Sequence, residues 1–311
     1  MSDRSSLRLE SDAAFLQARA WFRLSMANDC WWLWETVVMG GRARVTSRMV
    51  AELREQVGPR DQAVMATLAR VRLATGRQLE RVHWTDAAEA SRSRQQRRAL
   101  ARLVSLRVLT RLDRRIGGIH AGSSGHVFAL DIAGQRLLDH GGPAGGARWR
   151  TPWTPGSPFV SHVLAVSELY VQLIELTRTE SIFALLAFDA EPTCWRSFSG
   201  PHGGRITLKP DVFLILATPE YEDRYFIEVD RSTESPRVLA RKAEFYRQYW
   251  QSGREQAQSD VFPRVLFLVP DETRKAVVVN ILERQPQEAW VLYQVGLFAE
   301  AMSIFRAGAA T

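Results

Sequence analysis

Three carboxylates and one lysine stand where they could handle a phosphate. Pro210-Asp211 opens an apolar run at 212–216, and Glu228-Val229-Asp230 closes the next, at 224–229. Alternate residues of a strand share a face, so Glu228 and Asp230 point the same way. If the two runs pair as a hairpin, Asp211 joins them. Carboxylates gathered at strand ends are costly unless solvated, protonated or neutralised by a cation. A hard divalent ion suits an all-oxygen set. Mg²⁺, with Mn²⁺ as substitute, is the expected cofactor, activating water and offsetting charge on a phosphate during hydrolysis. The expected metal ligands are Asp211, Glu228 and Asp230, with Glu168 upstream as a fourth candidate. Leu239, Lys242, Ala243 and Tyr246 recur at i, i+3, i+4 and i+7, which sets Lys242 on or beside a helix face packed on the sheet. There Lys242 could steady a pentavalent phosphate. The alternative is ordinary strand-end carboxylates beside a partly exposed lysine. His162 reads as a cap or packing residue.

The elements that must position these groups follow from periodicity. A helix is expected over 160–176, extended segments over 181–188, 206–208, 212–216 and 224–229, a helix over 237–250 and a buried strand over 265–269. Helix, meander, helix and strand describe an α/β sandwich.

A second chemistry lies upstream. Between Arg92 and Arg115 there are nine arginines and a single acid, Asp113. The spacing predicts a helix over 60–75 ended by Gly76, and a short helix over 78–84. A third, over 94–109, would be capped by Ser93 with Gln96 in a capping box. In that third helix Leu100, Leu103 and Val104 form an apolar face, while Arg94, Arg98 and Arg102, with Arg97 beside them, form a guanidinium stripe. One greasy face and one basic stripe suit a recognition helix in a DNA major groove. Runs 108–112 and 126–130, separated by glycine-rich turns, make a hairpin that carries Arg111, Arg114 and Arg115 toward phosphates. The alternative is a solvated basic face on a structural domain.

Charge placement agrees with a polyanion partner. Of 41 basic and 34 acidic residues, residues 1–140 hold 23 and 14, or +9; the remainder holds 18 and 20, or −2. Thirty-eight of the basic residues are Arg, so position matters more than the total. Two cysteines far apart exclude a disulfide scaffold and a cysteine metal site. The apolar run 30–39 is short and contains Glu35, so no membrane span and a cytoplasmic location are expected. Trp21, Phe22, Trp31, Trp32 and Trp34 fall in helices read over 11–56 and suggest core packing or a dimer contact. The Gly/Pro-rich stretch 141–158 reads as a linker.

The stretches RDQAVMATLARVRLATGRQLERVHW, QRRALARLVSLRVLTRL, GSSGHVFALDIAGQRLL, LKPDVFLIL and FIEVDRSTESPRVLARKAEFYRQYW resemble the replication-relaxation proteins of actinobacterial plasmids and mobile elements. The resemblance covers most of residues 60–250. It implies a winged helix joined to a PD-(D/E)XK nuclease-like domain, with Pro210-Asp211 and Glu228-x-Asp230 at the motif positions. The lysine of that motif, two residues after Glu228, is here Asp230. Lys242 then substitutes from the helix, or the fold is kept without catalysis.

The expected fold class is therefore α+β. It comprises a helical segment at 1–58, a winged helix-turn-helix at 59–140, a linker at 141–158 and a PD-(D/E)XK nuclease-like α/β sandwich at 159–311. The expected partners are double-stranded DNA and, as an open option, a second copy of the chain. The function expected is DNA binding in replication, relaxation or transfer of a mobile element, with a Mg²⁺-dependent endonuclease or its relic. The alternative is a non-enzymatic winged-helix regulator whose α/β domain dimerises or binds a partner.

Overall fold

The computed structural model describes residues 45–112, 125–139, 156–200 and 203–308, and the protein is of mixed α+β class. The aromatic cluster at 21–34, Arg114, Arg115 and nearly all of the 141–158 stretch lie outside the described residues. Contacts divide the chain into Met1–Ser167 and Glu168–Thr311. The division falls inside one helix, and each unit is described by itself.

The N-terminal unit begins with α1 (Ser47–Gln56), capped by Thr46, and α2 (Pro59–Val71). Proline is favoured at the first helical position because its missing N–H has no intrahelical partner anyway. Val64, Met65, Leu68 and Val71 form the buried face of α2. Strand β1 (Ala74–Thr75) leads into α3 (Gly76–His83), and α4 (Glu89–Ser105) follows. Then come β2 (Leu109–Arg111), β3 (Val127–Leu130) and α5 (Ile132–Leu138). The three strands form an antiparallel sheet in the order β1-β3-β2.

Three local expectations are corrected. The first long helix ends at Val71, because Arg72 turns to φ 70° and its N–H closes on the Leu68 carbonyl. The capping box lies one helix earlier than expected. The Gln78 N–H donates to Thr75 Oγ1 (3.1 Å), and the Thr75 N–H donates to Gln78 Oε1 (2.9 Å). Ser93 is inside α4, where its hydroxyl donates to Glu80 Oε2 at 2.9 Å. Gly76 is a helix residue, not a breaker; a Cβ there would meet the amide nitrogen of buried Gln96 at 2.7 Å.

Helix α6 (Ser157–Thr179) crosses the division and already includes the last two residues of the expected linker. In the first unit its Val160 and Val163 pack with Leu73, Leu112 and Val127, and Ser167 Oγ donates to the Leu73 carbonyl (2.5 Å). In the second unit Tyr170 meets Phe188 edge-on. By length and composition Pro158–Thr179 is apolar enough to cross a membrane, a feature the sequence reading passed over; half of that window is buried within the protein.

The C-terminal unit continues with β4 (Ala184–Ala190), the hairpin β5 (Arg196–Ser199) and β6 (Arg205–Leu208), then β7 (Val212–Ala217) and β8 (Glu222–Val229). Helix α7 (Pro236–Gln251), β9 (Arg264–Val269), α8 (Glu272–Leu282), β10 (Tyr293–Leu297) and α9 (Ala301–Gly308) complete it. Five strands form one sheet in the order β10-β9-β8-β7-β4. Its β4, β7 and β8 are antiparallel; β8, β9 and β10 are parallel, with α7 and α8 as the crossovers. Period-2 alternation splits the sheet residues between two faces. Phe213, Phe226, Val265 and Phe267 pack against Leu239, Ala243 and Tyr246 of α7 and Ile281 of α8. Tyr225, on the opposite face, packs on Phe305 of α9.

Candidate functional site

Val212 pairs with Ile227, and the Asp211 N–H donates to the Ile227 carbonyl at 3.1 Å. Asp211 therefore lies beside Glu228 at the end of the two strands. Its Oδ2 accepts the Val229 N–H at 2.7 Å, which fixes the carboxylate over the end of β8. Glu228 shares the face of Phe226, under α7. Lys242 Nζ donates to its Oε2 (2.7 Å) and Tyr246 Oη to its Oε1 (2.6 Å). Lys242 and Tyr246 are one helical turn apart, so a single face of α7 supplies both donors. Lys242 also meets Glu234 at 2.8 Å.

The electrostatics follow from burial. The Glu228 side chain is 3% exposed and that of Lys242 is 27%. Burial pushes the Glu228 carboxyl up to about 7; Lys242 and Tyr246 oppose the shift, and the neighbouring Asp211 charge adds to it. Burial works against the Lys242 charge, but Glu228, Asp211 and Glu234 outweigh it, so the ammonium titrates above its ordinary range. Burial, reinforced by Glu228, likewise raises the Tyr246 phenol. It stays protonated and donates to Glu228. The Cys194 thiol donates to the Pro210 carbonyl (2.9 Å) and is also held up by burial.

The other two expected acids are placed differently. Asp230 does face the side of α7 and α8, as alternation requires, but its carboxylate belongs to another cluster. Arg274 of α8 reaches it at 2.7 Å, with side chains 11% and 2% exposed, and the Ser232 N–H donates to it at 2.6 Å. Arg274 also donates to the Glu234 carbonyl at 2.7 Å, tying down the turn between β8 and α7. Glu168, on α6, accepts from the Gln172 amide at 3.4 Å. Among the described residues no three His, Cys, Asp or Glu side chains form a metal-holding group. The expected three-carboxylate set is thus replaced by two acids and a lysine, because a guanidinium already neutralises Asp230.

Two acids still fit a magnesium ion in one respect. Mg²⁺ keeps several waters and takes one or two carboxylates, and Glu228 remains raised to about 7 even with Lys242 and Tyr246 in contact. Residual repulsion between Asp211 and Glu228 is what a divalent ion would relieve. Asp230 does not fit as a ligand.

On the N-terminal unit, Arg94, Arg97 and Arg98 are exposed on α4, and among the described residues none of them meets a carboxylate. Arg102, expected to complete the stripe, is held by the protein itself. It pairs with Asp61 of α2 at 2.5 Å and donates to the Gln56 carbonyl at 3.1 Å. Arg111 is exposed at the end of β2, opposite Phe128.

Tyr246 and Arg274 were missed by the sequence reading. Tyr246 had a signal, since it lies one turn beyond Lys242 on the same face, yet its periodicity marks only core. Arg274 had none, being 44 residues from its partner.

The arrangement is an α+β protein with a buried carboxylate–lysine centre at adjoining strand ends. The chain belongs to the replication-relaxation family, whose profile matches residues 65–265. No curated protein and no solved structure matches it.

Proposed function

We propose that the chain is a DNA-binding protein of a plasmid or mobile element, acting in its replication or relaxation. In this reading the N-terminal unit is a winged helix with α4 as recognition helix. The C-terminal unit is a nuclease of PD-(D/E)XK type whose lysine has moved to α7. The observation that carries it is the convergence of Asp211, Glu228 and Lys242 at the ends of β7 and β8. Asp211 and Glu228 would hold a divalent ion, which supplies water activation and charge neutralisation at phosphate. Tyr246 keeps Glu228 oriented. Lys242 is placed to offset charge on a phosphate oxygen as the P–O bond to the leaving strand breaks and a water oxygen bonds to phosphorus.

A second reading, a non-enzymatic regulator, is favoured by one feature. Both oxygens of Glu228 are already engaged by the chain's own groups, and Asp230 stands where the motif lysine belongs. A divalent-ion titration of the full chain separates the two. Under the nuclease reading Mg²⁺ or Mn²⁺ raises the melting temperature by mass action, and Asp211→Asn abolishes the rise. Melting that ignores both ions leaves the regulator.

A further inference from the structure

The hairpin β5–β6, inserted between β4 and β7, has two unlike faces. Its inner face is core. Phe198, Ile206 and Leu208 pack downward, and the Arg196 guanidinium lies over Phe213 (4.8 Å) while pairing with Glu255 (3.2 Å). The outer face is polar and basic. Ser197 pairs with Thr207 in register, with hydroxyl oxygens 3.2 Å apart. Arg205 Nη2 donates to Ser197 Oγ at 3.2 Å, and Arg254 Nη1 to the Ser197 carbonyl at 3.1 Å. The Lys209 ammonium sits 4.5 Å from the Trp195 ring centroid. Arg205, Lys209 and Arg254 are all exposed, and among the described residues none of them meets a carboxylate. That is out of keeping with residues 141–311, which hold 18 basic and 20 acidic residues. A strip of three exposed cations that meet no carboxylate among the described residues, in a slightly acidic half, fits a polyanion.

The strip also leads somewhere. Lys209 is followed directly by Pro210-Asp211, so its end adjoins the carboxylate–lysine centre. We propose that the outer face of this hairpin holds the phosphate backbone of the DNA strand delivered to Asp211, Glu228 and Lys242. The ligand rests on the nuclease-type reading above. Residues 205, 207 and 209 share one strand face, a strip of about 13 Å at roughly 3.3 Å per residue. With phosphates about 3.4 Å apart along the axis of each strand, it spans several of them. Guanidinium and ammonium groups interleaved with hydroxyls contact phosphate oxygens. Contacts of this kind, made to phosphate, position the strand.

The test uses the full chain and a short fluorescein-labelled duplex, with affinity measured across a salt series. Changing Arg205→Gln, Lys209→Gln and Arg254→Gln together should make the plot of log affinity against log salt shallower by roughly 2 to 3, at about 0.9 per lost phosphate contact. Arg284→Gln, an exposed arginine elsewhere, should leave it unchanged. The charge-keeping set Arg205→Lys, Lys209→Arg and Arg254→Lys should retain the wild-type slope; loss of slope in that set as well would mean a packing defect and overturn the proposal. So would a wild-type slope in the Gln variant. If Arg94→Ala/Arg98→Ala still flattens the plot while the hairpin variant does not, only the hairpin surface is wrong. Absence of any DNA binding by the wild type removes the DNA reading itself.

Discussion

The basic helix α4 and the centre beneath α7 hold their charges in opposite ways. On α4, Arg94, Arg97 and Arg98 are exposed and, among the described residues, meet no carboxylate, so their charge is available to an incoming polyanion. Beneath α7, Glu228 and Lys242 are enclosed and already paired, so their charge acts only on what reaches the end of the sheet. A surface guanidinium adds little to stability and is free to serve binding. A buried pair is strongly coupled to folding, because removing one partner strands the other. Function and stability should therefore be separable on α4 and entangled beneath α7.

The largest expected effect tests the entanglement. Lys242→Met strands Glu228 and should cost about 3 kcal/mol at pH 8, read from the urea midpoint. The cost should shrink at pH 5.5, where the carboxyl takes up a proton. An equal cost at both pH values would mean that solvent, not Lys242, balances Glu228.

A pH series on the wild type sharpens the same point. The folded-state pKa of Glu228 is raised from 4.5 to about 7. Its contribution to stability is thus present below about pH 4.5 and is lost as pH rises through 7. Wild type should lose up to about 3 kcal/mol relative to Glu228→Gln between pH 4.5 and 8, at about 1.4 kcal/mol per pKa unit. Parallel pH profiles for the two proteins would contradict the buried-acid account.

On the basic helix the effects should fall on binding. Arg94→Ala with Arg98→Ala should flatten the salt dependence of duplex affinity by roughly 2 and leave the urea midpoint unchanged. Arg102→Ala should do the reverse, with a loss of about 1 kcal/mol or less from its half-exposed pair with Asp61 and a wild-type salt slope. If Arg102→Ala flattens the slope as Arg94→Ala does, the distinction within the stripe disappears.

Much of this division was legible in the residues. Continuous apolar runs marked strands β7, β8 and β9 to within two residues, and the Leu239/Ala243/Tyr246 period marked α7. The acids at strand ends pointed to the centre because carboxylates gathered there are costly unless solvated, protonated or neutralised. Periodicity says which face a residue takes but not what waits there. Arg102 and Arg94 share a stripe, yet only Arg102 reaches Asp61, a contact 41 residues distant. Asp230 and Glu228 share a face, yet Arg274 claims one and Lys242 the other. The start of α4 is not legible in the sequence, because Ser93 looks like a cap whereas its hydroxyl donates to Glu80 of a different helix.

The central claim is that the carboxylate–lysine centre cuts DNA that the rest of the chain holds. Its most direct test is nicking of supercoiled plasmid by the full chain with Mg²⁺, run beside duplex affinity on the same preparations. The account predicts metal-dependent nicking by the wild type, its loss in Asp211→Asn and Glu228→Gln, and unchanged affinity in both. Nicking that survives either substitution, or a wild type that binds duplex and never cuts it, would contradict the account.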